Sequence, residues 1–152
     1  MHDHRTGVDL FVLSRALEAV ALDAVRAAGV QVTPAQARLL ARVGEGGTRA
    51  AELAERALVT KQTVSHLLEQ LERAGLVERV PDPRDGRARL VRLTDAARSV
   101  VPVANSAVRD TLAGWERRIG AERMADLADA LAELARGEDP FGGGGAEQPV
   151  RS

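Results

Sequence analysis

Two short helical segments with almost no linker, followed by two short apolar runs, constrain the fold of this chain most strongly. Residues 49–58 and 61–75 both repeat Ala, Leu and Val at helical spacing, and Thr60 is suited to cap the second segment. Helices separated by so short a break turn a corner, which is the helix-turn-helix geometry. Its inner face is predicted to comprise Ala51, Ala54, Leu58, Val64, Leu67, Leu68 and Leu71.

A stiff hairpin is predicted directly after these helices. The runs "LVERV" and "ARLVRL" are candidate strands, and "PDPRDG" between them predicts a longer loop in which Pro81 and Pro83 fix φ. Arg84 and Arg87 lie near the tip, where guanidinium groups suit phosphate contacts and narrow minor grooves. Asp85 would oppose phosphate binding, so we expect it to hold an arginine, most simply Arg87. The alternative is an ordinary surface hairpin with one exposed ion pair.

Further helical segments flank this unit. An apolar helix is predicted within residues 8–29, Thr33 and Gln36 predict the capping box of a second helix, and Thr48 is predicted to cap the third. Two more helices follow the hairpin. The predicted fold class is therefore mainly α (α+β), a winged helix-turn-helix with flanking dimerisation helices in the order α-α-α-α-β-β-α-α.

The chain is predicted to divide by role into three parts. Residues 8–30 and 98–136 form a helical dimerisation region, 33–95 form the winged helix-turn-helix DNA-binding region, and 137–152 form a flexible C-terminal tail. The outer helices hold more apolar side chains than a small winged helix needs, and a homodimer would bury them isologously. These side chains include Phe11, Val100, Val101, Val103, Leu112, Trp115 and Ile119.

Composition narrows the classes of function. The formal net charge is −1, yet residues 60–98 carry eight positive and six negative side chains, so the positive charge is local. Cysteine is absent, which excludes disulfides and thiolate metal sites. No apolar run approaches the roughly 20 residues of a membrane span, and the N-terminus lacks a signal core, so a cytoplasmic protein without membrane contact is predicted.

Enzyme chemistry has little support in the sequence. The "HDH" at His2–His4 is interpreted as part of a disordered tail, since a metal site would need further ligands. No Gly-rich phosphate loop, Ser-His-Asp set or zinc spacing occurs, so neither a catalytic residue nor a cofactor is predicted.

Polar side chains occupy the first turns of the fourth predicted helix. Their hydrogen-bonding groups and lengths suit base edges in a major groove, and a helix N-terminus also favours phosphate. The alternative is the solvated face that every amphipathic helix has. The candidate DNA-reading residues are Lys61, Gln62, Thr63, Ser65 and His66.

Residues 63–94 resemble the DNA-binding signature of the MarR family of bacterial transcriptional regulators. The elements that carry the resemblance are "LERAGLVER", "DPRDGRA" and the closing "VRLT" followed by a helix. The resemblance implies a homodimer whose fourth helices, at Lys61 to His66, read a pseudo-palindromic operator in double-stranded DNA. It also implies a wing contact by Arg87 with Asp85 as its support; Arg84 is added from its position in the loop.

The resemblance further implies repression relieved by a ligand. Family members often bind small aromatic or lipophilic acids between the dimer helices and the DNA-binding lobes, which changes the spacing of the lobes. The alternative function is a winged-helix protein-interaction module without a ligand response. That module would need neither groove-suited side chains on the fourth helix nor an obligate dimer.

Overall fold

A computed structural model describes residues 4–138 of the chain. The element order is the predicted one, with six helices and one two-stranded antiparallel sheet in the described part. The elements are α1 (Arg5–Ala27), α2 (Pro34–Leu40), α3 (Ala50–Ala57), α4 (Lys61–Arg73), β1 (Val77–Asp82), β2 (Asp85–Leu93), α5 (Asp95–Ile119) and α6 (Ala121–Glu138).

Two of the predicted helix caps are present. At the start of α2, the Thr33 hydroxyl accepts the backbone N–H of Gln36, and the Gln36 side chain accepts the backbone N–H of Thr33. At the start of α4, the Thr60 hydroxyl accepts the backbone N–H of Thr63 at 3.1 Å. Both caps pair N–H groups that have no partner within the helix.

The predicted cap of α3 by Thr48 is wrong. Arg49 precedes α3 without a side-chain cap, and Thr48 is buried one residue earlier. Thr48 instead forms an isolated antiparallel bridge to Val91 of β2, with backbone N–O distances of 2.9 and 2.8 Å. A third short extended segment therefore lies along the edge of the hairpin.

The turn between α3 and α4 also departs from the predicted inner face. Leu58 has φ 54° and ψ 41°, and the residue is 92% exposed. Ala51 is exposed as well, whereas Leu53 is fully buried. The prediction placed Leu58 on the apolar face of α3. The helix ends at Ala57, so Leu58 does not continue that face. The left-handed backbone conformation costs a residue other than glycine roughly 1–2 kcal/mol of folding free energy.

The hairpin is tighter than predicted. β1 and β2 extend into the "PDPRDG" segment, and only Pro83 and Arg84 form the turn. Pro81 pairs with Arg89 inside the ladder, and the register shifts between Pro81 and Asp82. Proline is accepted at such an irregular edge position because its missing N–H removes no regular ladder bond.

One apolar core joins the helix-turn-helix to the sheet and to parts of the long helices. Leucines from α2, α3 and α4 form its centre, and Val77 and Val91 close it from the hairpin. The C-terminal half of α1 contributes Leu22 and Val25, and α5 contributes Ala97. The residue range predicted for dimerisation therefore also supplies part of the core of the region predicted to bind DNA.

The chain ends are described only in part. α6 continues through Gly137 to Glu138, so the predicted tail does not begin at residue 137. The rest of that tail, residues 139–152, and His2 lie outside the described residues. α5 runs without interruption through Pro102.

Candidate nucleic-acid interface

The first two turns of α4 form an exposed polar surface. Its 13 residues make a helix of about 20 Å, long enough to lie along a major groove. Val64, Leu68 and Leu71 on the opposite face are buried and fix the helix against the core. The structure leaves all five predicted reading residues exposed: Lys61, Gln62, Thr63, Ser65 and His66.

A chain of hydrogen bonds orients His66. The Gln36 amide nitrogen donates to Oε1 of Gln70 at 3.0 Å, and the Gln70 amide nitrogen lies 3.1 Å from Nε2 of His66. Because an amide nitrogen can only donate, Nε2 of His66 is the acceptor in this contact, which leaves Nδ1 for another partner. The sequence predicted Gln36 only as a capping residue and did not indicate its contact with Gln70, which lies 34 positions away.

Two arginines project from the tip of the hairpin, which we call the wing (residues 77–93). Arg84 is 87% exposed on its side chain, and its Nε lies 3.8 Å from a carboxylate oxygen of Asp82. Arg87 is exposed, and within residues 4–138 its guanidinium group forms no ion pair. The wing tip therefore presents positive charge that the described residues neutralise only weakly.

The expected ion pair between Asp85 and Arg87 is not formed. Oδ1 of Asp85 accepts the backbone N–H of Arg87 at 3.1 Å, and its Oδ2 lies 3.8 Å from Nη2 of Arg49. Asp85 thus supports the wing backbone and faces a different arginine. The carboxylate has a short reach, and its position at the turn directs it to the adjacent N–H group.

A buried carboxylate, which the sequence reading did not single out, holds the wing. Asp82 is 1% exposed, and its Oδ2 accepts hydrogen bonds from Nε and Nη2 of Arg49 at 3.0 and 2.7 Å. Its Oδ1 accepts the backbone N–H of Arg84 at 2.9 Å. These bonds, first that from Arg84 and then those from Arg49, hold the pKa of Asp82 below its usual value.

Four residues form what we call the wing clamp: Thr48, Arg49, Asp82 and Val91. Thr48 bonds to β2 through its backbone, and the neighbouring Arg49 bonds to β1 through its side chain. The close approach requires Gly47, at φ 91°, because a Cβ there would lie 3.0 Å from Cβ of Leu90. The clamp fixes the wing relative to α3 and hence to α4.

A cavity of about 620 Å³ lies beside this lobe, between α1, α2 and α5. Its lining is mainly aliphatic, and charged or polar side chains occur at Glu18, Arg38, Glu45, Arg98 and Asn105. Nη1 of Arg38 lies 2.5 Å from Oε1 of Glu18, which links α2 to α1. This volume is in the range of small-molecule sites.

Two other kinds of site were sought in the described part of the chain. Residues 4–138 contain no cluster of three His, Asp or Glu side chains able to hold a metal ion. No helix there is both long and apolar enough to cross a bilayer.

The fold and the exposed surface of α4 define a winged helix-turn-helix protein of the transcriptional-regulator class. A sequence model of the MarR family matches residues 30–88. Over 109 residues the chain is 32% identical to the HTH-type transcriptional regulator FarR of Neisseria gonorrhoeae, spanning 71% of this chain and 75% of that protein. The chain therefore belongs to the MarR family of transcriptional regulators, as its sequence predicts.

Solved structures agree with this assignment. The transcriptional regulator Tm0710 from Thermotoga maritima is 27% identical with a TM-score of 0.62, and the alignment covers 87% of this chain and 92% of that one. A variant of S. aureus MepR bound to an oligodeoxyribonucleotide shares the fold at 20% identity, with a TM-score of 0.57 and coverages of 87% and 96%. The predicted winged-helix fold class is confirmed.

Proposed function

We propose that this regulator is a homodimeric repressor that binds a pseudo-palindromic operator and is released by a small acidic ligand. The observation that carries the proposal is the pairing of an exposed polar helix surface with a clamped, arginine-tipped wing. The helix presents donors and acceptors of the kind that read base edges. The wing presents cations that contact the adjacent backbone or minor groove.

Within this surface we assign different tasks to the two elements. Lys61, Gln62, Thr63, Ser65 and His66 supply base and phosphate contacts in the major groove, and the α4 N-terminus favours phosphate. Arg84 and Arg87 supply affinity and register from the wing. Asp82 is buried and paired with Arg49, which offsets its repulsion of DNA, and Asp85 accepts the backbone N–H of Arg87. A regulator of the same fold, MepR, has been solved with an oligodeoxyribonucleotide.

A second copy of the chain accounts for the exposed apolar side chains of the long helices. They form an apolar surface that a monomer would leave in water. A twofold dimer would bury this surface and place two reading helices about one DNA turn, roughly 10 bp, apart. The exposed members are Val8, Leu10, Phe11, Val12 and Leu13 of α1, Val101 and Val103 of α5, and Leu131 and Leu134 of α6.

The cavity between α1, α2 and α5 supports the ligand response. Its aliphatic lining suits a lipophilic or aromatic body, and Arg38 or Arg98 would pair with a carboxylate at its edge. Both arginines already pair with acids, at Glu18 and Asp95, so a ligand carboxylate would compete with those pairs. An acid of drug-like size fits the volume.

The first experiment tests DNA binding and oligomeric state together. The purified chain should shift DNA from its own upstream intergenic region at low salt, and light scattering should give twice the chain mass. The matched control DNA is the same fragment with one half-site scrambled, which should bind more weakly. A monomer that ignores its upstream DNA would favour the protein-interaction module instead.

Ligand release needs its own test. A panel of aromatic and medium-chain fatty acids is screened by thermal shift, and each binder is then added to the preformed DNA complex. A binder that raises the melting temperature should lower the affinity for DNA, because it stabilises a lobe spacing that does not fit the operator. Binders that leave the DNA affinity unchanged would remove ligand release from the proposal.

A further inference from the structure

Leu58 is a bulky apolar residue in a strained and almost fully exposed position. It lies in the helix-turn-helix corner at φ 54° with 92% of its surface exposed. Single exposed leucines are common on proteins. An exposed leucine with a left-handed backbone conformation is unusual, and such backbone strain concentrates at functional sites.

The turn itself does not need this side chain. Its two hydrogen bonds are both backbone bonds, from Leu58 N to Glu55 O at 3.2 Å and from Val59 N to Ala54 O at 3.1 Å. This is the Schellman arrangement, in which glycine or asparagine takes the left-handed position with less strain. The Leu58 side chain therefore stabilises neither the turn nor the core.

Leu58 lies next to the start of α4. It lies two residues before Thr60, the cap of α4, and Lys61, Gln62 and Thr63 follow with their side chains exposed. Any DNA that receives the N-terminus of α4 therefore also approaches this corner. The apolar group that DNA presents in the major groove is the C5 methyl of thymine.

We propose that Leu58 is a specificity-determining residue that packs on a thymine methyl and selects thymine at one position in each half-site. The inference rests on the proposed DNA-binding function and adds to it a base preference. Hydrogen bonds can recognise O4 of thymine or its paired adenine, but they do not contact the C5 methyl, so a difference between thymine and uracil requires an apolar contact. Leu58 thereby extends the reading surface beyond Lys61 to His66.

The experiment removes the methyl group from the DNA and the leucine from the protein. A tight-binding duplex is first selected from random sequences with the wild-type chain, and each thymine is then replaced singly by uracil. The wild type should lose roughly fourfold in affinity at one position per half-site, the fold-change that burial of one methyl group supplies. L58N and L58G should bind the thymine duplex more weakly and no longer distinguish it from the uracil duplex.

Two controls separate DNA contact from a structural role. L58M keeps an apolar side chain and should retain the difference between thymine and uracil. L58N should melt about 2–4 °C higher than wild type, because asparagine relieves the left-handed strain, while its DNA affinity falls. Stability and affinity then change in opposite directions, which a structural residue would not produce.

The outcomes also distinguish this inference from the function on which it rests. If the wild type selects DNA but L58N retains the full response to uracil, the Leu58 contact is wrong and the regulator remains. If the wild type shows no position at which uracil weakens binding, the contact is likewise wrong. If the wild type selects no DNA at all, the proposed function itself fails.

Discussion

Replacement of Arg87 by alanine tests whether the wing neutralises DNA phosphate. The Arg87 guanidinium is exposed and forms no ion pair within residues 4–138, so its charge is free to displace a condensed counterion. Its backbone N–H stays bonded to Asp85 whatever the side chain, so R87A should leave the wing folded. The variant changes one charge and leaves the clamp intact.

The magnitude follows from counting charges. Each phosphate contact contributes about 0.9 to the slope of log affinity against log salt. A dimer with two wings loses two contacts, so the slope of R87A should be shallower than that of wild type by about 1.8. When the salt concentration rises from 50 to 200 mM, the wild type should therefore lose about 12-fold more affinity than R87A.

Arg92 supplies a matched control with the same loss of charge. Its Nε and Nη2 donate to Oε1 of Glu78 at 3.0 and 2.7 Å, on the part of the strand far from the tip. R92A should therefore keep a slope close to that of wild type. Fluorescence anisotropy titrations at five salt concentrations measure all three proteins on one labelled operator. Equal slopes for R87A and wild type would refute phosphate contact by Arg87.

Three further predictions concern the clamp and the core, measured by urea unfolding at one fixed protein concentration. Because the pKa of Asp82 is lowered in the folded state, its ionised form stabilises the protein above about pH 4, and this stabilisation is lost as the pH falls through the folded pKa. The difference between wild type and D82N should therefore shrink on acidification, and a difference that stays constant down to pH 3 would contradict it. T48V should lose about 1 kcal/mol, since the N–H of Gly44 then loses its 2.9 Å bond to the threonine hydroxyl; an unchanged midpoint would show that water replaces this bond. L53A should lose about 2–5 kcal/mol because Leu53 is fully buried, and a loss below about 1 kcal/mol would mean that the core collapses around the deletion.

Features decided by near neighbours in the chain could be predicted from the sequence. The caps at Thr33 and Thr60 each involve residues three positions apart, and the exposed face of α4 follows from its apolar periodicity. The family signature itself is local, since it covers one helix end, one hairpin and one helix start. These elements were predicted in the order that the structure shows, although the strands of the hairpin are longer and its turn shorter than predicted.

Features that depend on distant contacts could not be predicted in this way. The Arg49–Asp82 pair joins residues 33 positions apart, and nothing in the sequence near either residue indicates the other. Asp82 carried one local signal, because an aspartate before Pro-Arg favours a turn in which its side chain accepts the N–H two residues ahead. Asp85 was chosen instead because it lies two residues before Arg87 in the sequence.

If the proposed ligand response exists, the same contacts limit how a ligand in the cavity could act on DNA binding. The Gln36–Gln70 bond ties α2 to α4, and the wing clamp ties the hairpin to α3, so α4 and the wing belong to one packed lobe. The cavity lies where this lobe meets α1 and α5, and the Glu18–Arg38 pair crosses that boundary. A ligand bound there would have few ways to alter the reading surface itself, because the hydrogen bonds that shape it are inside the lobe. Its effect on a dimer would instead be to change the distance between two intact reading surfaces, which weakens binding to the whole operator while the base preference within each half-site stays the same.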